Sequence, residues 1–427
     1  MDEKIVLKHT RIPEQKHIDT YLKNGGYRAL PRAIQKYRPD EIIELVKKSG
    51  LRGRGGAGFP TGRKWGFVPK DASRPKYLVC NADEGEPGTF KDREIIEGDP
   101  HQLIEGIIIS SYALGAHRAY IYIRGEFTRG AEVLNQALAE SREAGFLGED
   151  ILGSGFRLEV CVHRGAGAYI CGEETALLES LEGKRGMPRL KPPHPVAAGL
   201  YSSPTVINNV ETLANIPHIV NNGAEWFAGI GTAQSAGTKI FCLSGDVNKP
   251  GNYEAPMGTP LRKLLEAAGG IKDGQRLKAF FPGGPSTFML TDAHLDVPMD
   301  FESLQKAGSM LGSGAIIVLR EDRCIAKVVM RLLQFFKEES CGKCTPCREG
   351  TDWMVKIYQR MMNGRGRKED LDLLLDLSDN MRISFCPLGV GAAMPVVSSL
   401  THFRKEYEEH IARGSAQAKA CGYPPLP

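Results

Sequence analysis

Four cysteines in the last quarter of the chain have the spacing of an iron–sulfur site. Cys341, Cys344 and Cys347 form a C-x₂-C-x₂-C series, and Cys386 stands directly before Pro387. Two-residue gaps allow three thiolates to converge on one four-iron cluster, while a distant segment supplies the fourth ligand. A structural zinc ion is the alternative, but zinc sites usually combine paired C-x₂-C units. The spacing therefore favours a [4Fe–4S] cluster.

The remaining cysteines lack this spacing. They are Cys80, Cys161, Cys171, Cys242, Cys324 and Cys421. Cys421 is the alternative to Cys386 as fourth ligand, but the position of Cys386 before a proline fits better. Clustered thiols in a long chain indicate metal ligands in a reducing compartment rather than the disulfides of short secreted proteins.

A glycine-rich segment could bind an anion. Residues 53–60 read Gly-Arg-Gly-Gly-Ala-Gly-Phe-Pro and contain G-x-G-x-x-G. A dinucleotide fingerprint needs a strand before this pattern and a helix after it. Here a helix is predicted before it and Pro60 follows, so an ordinary Rossmann interpretation fails. Successive N–H groups can still form an anion-binding concavity, to which Arg54, Arg63 and Lys64 add positive charge. A flexible surface loop is the alternative.

Two further segments combine small and polar residues. Residues 80–88 (Cys-Asn-Ala-Asp-Glu-Gly-Glu-Pro-Gly) follow a predicted buried strand, and such strand ends line ligand crevices in α/β sheets. A solvated acidic loop is the alternative. Residues 165–174 are mostly small and end in Glu173 and Glu174, which suggests close approach to a flat ligand. Its alternative is a packing turn before a helix at 175–181.

Composition describes an ordinary soluble globular protein. The chain has 427 residues, of which 41% are hydrophobic and 25% charged, so two or three domains are expected. The net charge of +4 is too small to indicate a nucleic-acid binder. No apolar run is long enough to span a membrane, and the start at Met1 lacks the pattern of a signal peptide.

Hydrophobic patterning divides the chain into three blocks that must position these residues. The first, to about residue 230, alternates helices and strands, which is typical of a layered α/β fold. Its predicted strands are 77–80, 119–123 and 156–162, and its predicted helices are 39–48, 101–115 and 129–144.

The second and third blocks differ from the first. Residues 238–319 predict a small α+β module with strands 239–245, 277–281 and 315–319, and a helix to Ala267 with Thr259 as N-cap. From residue 322 the pattern is helical, with helices near 349–362, 368–381 and 391–412. The first helix of this block has one apolar stripe, formed by Ile325, Val328, Val329, Leu332, Leu333 and Phe336. The tail after Gly414 is expected to be loosely held.

Together these segments resemble the NADH-binding flavoprotein subunit of respiratory complex I, a family shared with diaphorase subunits of NAD-linked hydrogenases and formate dehydrogenases. The matching stretches are Gly53–Thr61, Asn81–Arg93, Gly165–Arg185, Lys191–Pro193, Asn208–Leu213 and Glu339–Gly350. The resemblance implies an α/β fold in which a Rossmann-like FMN and NADH domain (1–235) precedes a β-grasp-like SLBB module (236–320). A C-terminal helical bundle (321–427) would carry the cluster.

The resemblance also implies FMN, NADH and one [4Fe–4S] cluster, and it assigns residues to each. The implied phosphate cradle is Gly53, Arg54, Gly55, Gly56, Ala57 and Gly58 with Lys64. The implied flavin and ribityl contacts are Asn81, Asp83, Asn208 and Asn209. The implied residues around NADH are Glu86, Tyr169, Gly172, Glu173, Glu174, Lys191 and the aromatic walls Phe59 and Phe67. The implied cluster ligands are Cys341, Cys344, Cys347 and Cys386.

One position departs from the family pattern. Where the family usually has Phe or Tyr after Lys-Pro-Pro, this chain has His194. An imidazole can still stack on adenine, but it is smaller and can gain a proton near neutral pH. Adenine binding is therefore expected to weaken when His194 is protonated.

The implied activity is that of an NADH:quinone oxidoreductase. NADH would pass a hydride to FMN, and electrons would continue singly to the cluster. Because hydride transfer needs no general acid or base, Glu86 is assigned a positioning role in catalysis. Glu174, and Glu173 after it, would accept from the adenosine ribose and repel a 2′-phosphate.

The family implies partners and a location. The expected partners are a small thioredoxin-like [2Fe–2S] subunit and the large Fe–S subunit of the complex I peripheral arm. The chain would be cytoplasmic, on the cytoplasmic side of the inner membrane through that assembly. The alternatives are a diaphorase subunit of a soluble hydrogenase or formate dehydrogenase, and an Fe–S scaffold without flavin.

Overall fold

The computed structural model of the protein describes residues 4–70 and 73–414. Its strands are β1 (Tyr77–Ala82), β2 (Arg118–Ile123), β3 (Glu159–Arg164), β4 (Thr205–Asn209), β5 (Gly231–Thr232), β6 (Ser235–Ala236), β7 (Thr238–Gly245), β8 (Gly251–Pro256), β9 (Leu277–Phe281), β10 (Leu290–Thr291) and β11 (Ala315–Arg320). The helices before the second sheet are α1 (Ile18–Lys23), α2 (Ala29–Lys36), α3 (Pro39–Lys48), α4 (Thr61–Gly66), α5 (Lys91–Gly98), α6 (Pro100–Leu114), α7 (Thr128–Glu143), α8 (Glu174–Leu181), α9 (Pro195–Ala198), α10 (Val210–Ala214), α11 (Ile216–Asn222) and α12 (Ala224–Ala228). The later helices are α13 (Leu261–Ala267), α14 (Phe301–Lys306), α15 (Ile325–Glu339), α16 (Thr345–Met362), α17 (Glu369–Asn380) and α18 (Pro387–Arg413).

The first sheet is parallel and doubly wound. Its strand order is β3-β2-β1-β4, so the chain moves outward from β1 through β2 and β3 and then returns to the other side of β1. A crevice forms at the carboxyl ends of the strands where this order reverses, between β1 and β4. The expected Rossmann-like topology is therefore confirmed, and Ala82 and Asn209 end the two strands at this crevice.

The two faces of this sheet belong to different hydrophobic cores. Leu78 and Cys80 of β1 pack in one core with α6 and α7. Val79 of β1 and Ile207 of β4 face the opposite side, in a core shared with α8 and the helices from α15 onward. Alternate residues of one strand thus join the amino-terminal layer to the carboxy-terminal bundle.

The second sheet forms a separate module. Its order is β10-β9-β11-β7-β8, with β7 and β11 parallel and the other neighbours antiparallel. One face packs on α13 through its own core, which includes Phe241, Leu264 and Phe280.

The carboxy-terminal helices form a bundle that brings the cysteines together. The apolar stripe of α15 is buried at Ile325, Val329, Leu333 and Phe336. Cys344 precedes α16 and Cys386 precedes α18. Within residues 4–70 and 73–414, no helix has the length and apolar character needed to cross a bilayer.

Several predicted elements shift in the structure. The strand predicted at 156–162 begins at Glu159 instead, because Leu158 donates its N–H to Gly148 O before the ladder starts. Thr259 is not the N-cap of α13; Pro260 holds that position, and the Thr259 hydroxyl donates to Pro256 O at 2.8 Å. The predicted loose tail, with Cys421, lies outside the described residues.

Candidate functional site

A cavity of about 430 Å³ lies at the carboxyl ends of β1 and β4, a volume suited to a small-molecule ligand. All three blocks of the chain contribute to its lining. The predicted residues that line it are Gly55, Gly56, Ala57, Asn81, Asp83, Glu86, Tyr169, Gly172, Glu173, Asn209 and Cys386. The lining residues that sequence reasoning missed include Thr89, Lys91, Asp92, Gly283, Ser286, Met310, Ser313 and Leu388.

The glycine-rich loop is held as a tight hairpin. The Gly53 N–H donates to Phe59 O at 2.9 Å, and Arg52 Nε donates to Gly58 O at 2.6 Å. Gly56 has φ +147, and a Cβ there would meet nothing within 4 Å. The loop therefore presents bare backbone to open space, as an anion cradle requires, and its closed neck argues against a flexible surface loop.

Arg54 does not add its charge to this concavity, which corrects the sequence-based interpretation. Its side chain is fully buried and donates to Ala236 O at 2.7 Å and Thr238 O at 3.1 Å. Its backbone N–H donates to Thr212 Oγ1 at 2.8 Å. Burial lowers the pKa of Arg54 to about 10. Arg54 is therefore an anchor that fixes the loop to the chain segment joining β6 to β7.

A buried ionic network adjoins the loop. Lys91 Nζ lies 2.7 Å from Asp92 Oδ1 and 3.0 Å from Glu211 Oε2, and Lys239 Nζ lies 2.5 Å from the same Glu211 oxygen. Burial alone would lower the pKa of Lys91, but Asp92 and Glu211 raise it overall. Sequence reasoning did not single out this network, although Lys91 and Asp92 fall within the matching stretch Asn81–Arg93.

The asparagines at the strand ends have distinct partners. Asn209 donates to Asp92 Oδ2 at 2.6 Å and accepts from Lys91 Nζ at 3.1 Å. Asn81 donates to the carbonyl of Gly172 at 3.0 Å. Asn208 is not among the cavity-lining residues, because its Oδ1 accepts from the Trp65 indole at 2.9 Å beneath the loop.

Asp83 has the chemistry of a ligand contact. It is 8% exposed, and its Oδ2 has no hydrogen-bond partner among the described residues. Burial outweighs the opposing charge of Arg124 and raises the pKa of Asp83 to about 7. An unpartnered acceptor at the cavity wall would be satisfied by the N–H or hydroxyl groups of a flavin and its ribityl chain, so the cavity fits FMN.

Glu86 is fixed by groups from two other segments. Its Oε2 accepts from the Tyr169 hydroxyl at 2.6 Å, and its Oε1 accepts from Ser286 N at 2.9 Å and Ser286 Oγ at 2.7 Å. Burial raises the pKa of Glu86, although these hydrogen bonds act in the opposite direction. A Cβ at Gly284 would come within 2.5 Å of Glu86 Oε1, so the glycine allows this close approach. The Gly/Pro-rich turn that follows the strand predicted at 277–281 is the sequence signal that could have located Gly284 and Ser286.

Glu173 and Glu174 share one lysine. Lys191 Nζ lies 3.0 Å from Glu173 Oε1 and 2.7 Å from Glu174 Oε1. Glu173 also caps α8, since its Oε2 accepts from the N–H of Thr175 at 2.9 Å. Lys64 Nζ donates to Ile207 O and lies 3.7 Å from Glu174 Oε2, so its side chain joins this group rather than lining the cavity.

The basic side chains of this group stabilise the ionised form of Glu174. Burial alone would raise the pKa of Glu174, but Lys64 and Lys191 lower it overall, and His194 acts in the same direction. His194 itself is exposed and directly precedes α9. Phe59 and Phe67 are also exposed, with ring centroids 6.3 Å apart, and neither lines the cavity.

The four motif cysteines line one small cavity next to the large one. The Phe385 N–H donates to Cys344 Sγ at 3.4 Å, and Ser340 Oγ lies 3.2 Å from Cys347 Sγ. In the described part of the chain, no three His, Cys, Asp or Glu side chains converge closely enough for a single metal ion. Three thiols from one loop and a fourth from a distant segment line one cavity, which is the ligand set of a four-iron cluster rather than the paired C-x₂-C units of a zinc site.

Comparisons with known proteins agree with this geometry. Residues 46–218 match a family model described as the Nuo51 FMN-binding domain. Residues 240–288 match the SLBB domain, and residues 327–410 match the NADH-ubiquinone oxidoreductase-F iron-sulfur binding region. FMN and a [4Fe–4S] cluster are therefore the cofactors of this chain.

Two solved structures of NAD⁺-reducing [NiFe]-hydrogenase, in the H₂-reduced and air-oxidized states, resemble the chain with a TM-score of 0.83. They are 39% and 37% identical to it and cover 92% and 98% of it. The chain spans 66% and 70% of the length of those hydrogenase chains.

Two relatives match the chain over nearly its full length. An NADH-quinone oxidoreductase F subunit of Rhizobium meliloti is 58% identical over 413 residues, which covers 96% of this chain and 98% of the relative. The NADH-quinone oxidoreductase F subunit of Mycobacterium tuberculosis is 54% identical, with 96% and 94% covered. With its FMN-binding, SLBB and iron–sulfur regions in the same order, the chain belongs to the family of NADH-quinone oxidoreductase F subunits.

Proposed function

We propose that the protein is the electron-input subunit of an NADH:quinone oxidoreductase. It oxidises NADH by hydride transfer to FMN and passes single electrons to its [4Fe–4S] cluster and onward to partner subunits. The observation that carries this proposal is the adjacency of the two sites, because Cys386 lines both the large cavity and the cavity of the four cysteines. Bound FMN supplies the redox chemistry, and the protein supplies position and electrostatics.

The cavity residues form two groups, one proposed to bind the phosphate of FMN and the other its flavin and ribityl chain. The bare loop at Gly55, Gly56 and Ala57 would hold the phosphate through backbone N–H groups, with Gly53 and Gly58 closing its neck. Asn81, Asp83 and Asn209 would hold the flavin and its ribityl chain. Asn208 would act through Trp65 and the loop, and Lys64 through Glu174, rather than by lining the cavity.

Glu86 orients NADH over the flavin. Three hydrogen bonds hold its carboxylate, and they favour the ionised acceptor form. A carboxylate fixed in this way can accept from a donor group of the nucleotide without transferring a proton. Tyr169 and Ser286 therefore serve as positioning residues for Glu86.

The adenosine end of NADH is assigned to residues that do not line the large cavity, several of which are exposed. Phe59, Phe67 and His194 would contact the adenine, and Lys191 would be the nearby cation. Glu174 would face the adenosine ribose and disfavour a 2′-phosphate. Glu173 is less suited to this task, because helix α8 and Lys191 already occupy its oxygens.

The assembly is assigned from the family. As a member of this family, the chain works with other complex I subunits; the specific partners proposed are the small thioredoxin-like [2Fe–2S] subunit and the large Fe–S subunit of the peripheral arm. The proposed location is the cytoplasmic side of the inner membrane. The proposed domains are 1–235, 236–320 and 321–427. A diaphorase subunit of a soluble hydrogenase is the second candidate, favoured by the hydrogenase structures, but the F subunits match the full length of the chain more closely.

A visible spectrum of anaerobically purified protein tests the proposal. Stoichiometric NADH should bleach a flavin that is accompanied by about four irons. Zinc in place of iron, or a flavin that stays oxidised in cofactor-complete protein, would contradict it. Protein purified natively without flavin would instead support the Fe–S scaffold. Subunits that copurify separate complex I from a hydrogenase assembly.

A further inference from the structure

The two cavities meet at a wall of three side chains. Ile170, Cys386 and Leu388 line both the large cavity and the small cavity of the cysteines. Cys341, Cys344 and Cys347 line only the small one. Among the four expected ligands, therefore, a single thiolate faces the large cavity.

The wall is apolar and closed. Ile170 and Leu388 are each 6% exposed and belong to the core shared by the first sheet and the helical bundle. Apart from the Cys386 thiol, the side chains of the wall carry no polar group. Between the large cavity and Cys341, Cys344 and Cys347 the structure thus places two aliphatic side chains and the Cys386 thiol.

Both sides of the wall are fixed to the elements that carry the sites. Ile170 lies in a short 3₁₀ turn, Tyr169–Gly172, whose Tyr169 N–H donates to Glu339 Oε2 at 2.9 Å, immediately before the cysteine loop. The other end of this turn accepts from Asn81 at the end of β1. Leu388 lies in the first turn of α18, directly after Cys386 and Pro387. The wall therefore connects the strand end of the large cavity to the ligand loop.

We propose that Cys386 is the ligand through which the cluster receives electrons from the large cavity, and that Ile170 and Leu388 complete the partition between that cavity and the other three cysteines. This inference rests on the proposed function. In each crossing the reduced flavin loses one electron and the cluster gains it, so one group is oxidised as the other is reduced. The proton that the flavin releases stays on the side of the large cavity, since the two aliphatic side chains cannot carry it.

The partition also sets the environment of the cluster. The hydrophobic shell of a metal site controls solvent access and so its reduction potential. Reduction adds negative charge to the cluster, and water stabilises that charge. Opening the wall toward the large cavity should therefore raise the cluster potential, and it should slow electron transfer because packed atoms are lost from the path.

Leu388→Ala tests the partition, with Val390→Ala as the matched control. Val390 lies on the same helix and lines the large cavity but not the cavity of the cysteines. In the purified protein with both cofactors, the cluster potential is measured by a redox titration followed by EPR. The rates of flavin reduction by NADH and of later cluster reduction are measured by stopped flow. Ile170→Val, which removes one methyl group, is studied in parallel in case Leu388→Ala fails to hold its cluster.

The expected result is a higher cluster potential and slower cluster reduction in Leu388→Ala, with a smaller shift of the same sign in Ile170→Val. Val390→Ala should keep the cluster potential of the unaltered protein, and in each variant the rate of cluster reduction is compared with that variant's own rate of flavin bleaching by NADH. An unchanged potential in both wall variants, or an equal shift in the control, overturns the partition. Failure of NADH to bleach the flavin of the unaltered protein would overturn the proposed function instead, so the two failures are distinguishable.

Discussion

Replacing Asp83 by Asn should have opposite effects on the stability of the flavin-free protein and on its affinity for flavin. In the absence of a ligand, the buried Asp83 Oδ2 has no partner among the described residues, so its charge is a cost to the folded state. With flavin bound, the same oxygen is proposed to accept a hydrogen bond. A residue that only supports the fold would not give this pair of opposite signs.

The size of the stability effect follows from the pKa. Burial raises the pKa of Asp83 from 3.8 to about 7, and each pKa unit corresponds to about 1.4 kcal/mol. The cost of the ionised form is therefore at most about 4.5 kcal/mol. Asn removes the charge but keeps a buried amide that also needs partners, so a gain of about 1–3 kcal/mol is expected.

The sign of the pH dependence is fixed by the direction of the shift. Between about pH 4 and pH 7 the folded protein binds more protons at Asp83 than the unfolded chain does, so stability falls as the pH rises through this window. The gain from Asp83→Asn should be absent near pH 4 and complete above pH 7. Glu84 and Asp99 also have their pKa values raised by burial to about 7, so the variant should lose only part of the wild-type slope.

The assay combines denaturant unfolding of flavin-depleted protein at pH 5 and pH 8 with a fluorescence titration of FMN. The expected loss of FMN affinity is about tenfold, as for one hydrogen bond to a charged group. Asp19→Asn, at an exposed position on α1, is the control and should change stability by less than about 0.5 kcal/mol. Lower stability of Asp83→Asn at pH 8, or unchanged FMN affinity, would refute the reasoning.

The other predictions concern the nucleotide and the buried charges. Glu174→Gln should leave Lys191 with one carboxylate fewer and raise the NADPH/NADH ratio of kcat/KM about tenfold or more; an unchanged ratio would remove Glu174 from this role. Ser286→Ala should remove the hydroxyl donor to Glu86 Oε1 while the backbone N–H of residue 286 stays, and it should raise KM for NADH, by about 1 kcal/mol in binding, with little change in kcat; a loss confined to kcat would show that Glu86 acts in the chemical step. Glu211→Gln should destabilise the protein by about 3–5 kcal/mol in denaturant unfolding, because two buried lysines lose their shared counter-charge, and a loss below about 1 kcal/mol would contradict that account.

Local patterns predicted the regular elements well. The helix at 39–48 matches α3, because a proline at its start and apolar residues at helical spacing are local signals. The strands β1, β2 and β9 were predicted because each is a short, largely apolar run, which is also a local signal. The short helix α10 was missed, since all five of its residues are buried and no amphipathic period marks a helix that is enclosed on every side.

Contacts between distant segments could not be read from local patterns. Arg54 was interpreted as adding positive charge to the anion-binding concavity, yet its carbonyl partners at residues 236 and 238 are far away in the chain. Lys91 and Glu211 meet only because β1 and β4 are neighbours in the sheet. Residue type and spacing therefore predicted which segments form the site, but not which side chains face the ligand.

The arrangement of the cores explains why the site depends on more than its own segments. The apolar stripe of α15 predicted that this helix is buried, but not what covers it. In the structure, Val329 and Phe336 of α15 lie in the same core as Val79 of β1 and Leu388 of α18. The sheet that ends at the large cavity and the helices that carry the cysteines are consequently packed against each other rather than joined by a loose connection. Since interiors of this density yield little, the separation between the large cavity and Cys341, Cys344 and Cys347 is fixed by this core, and a substitution that repacks Val329 or Phe336 would alter it without touching either site.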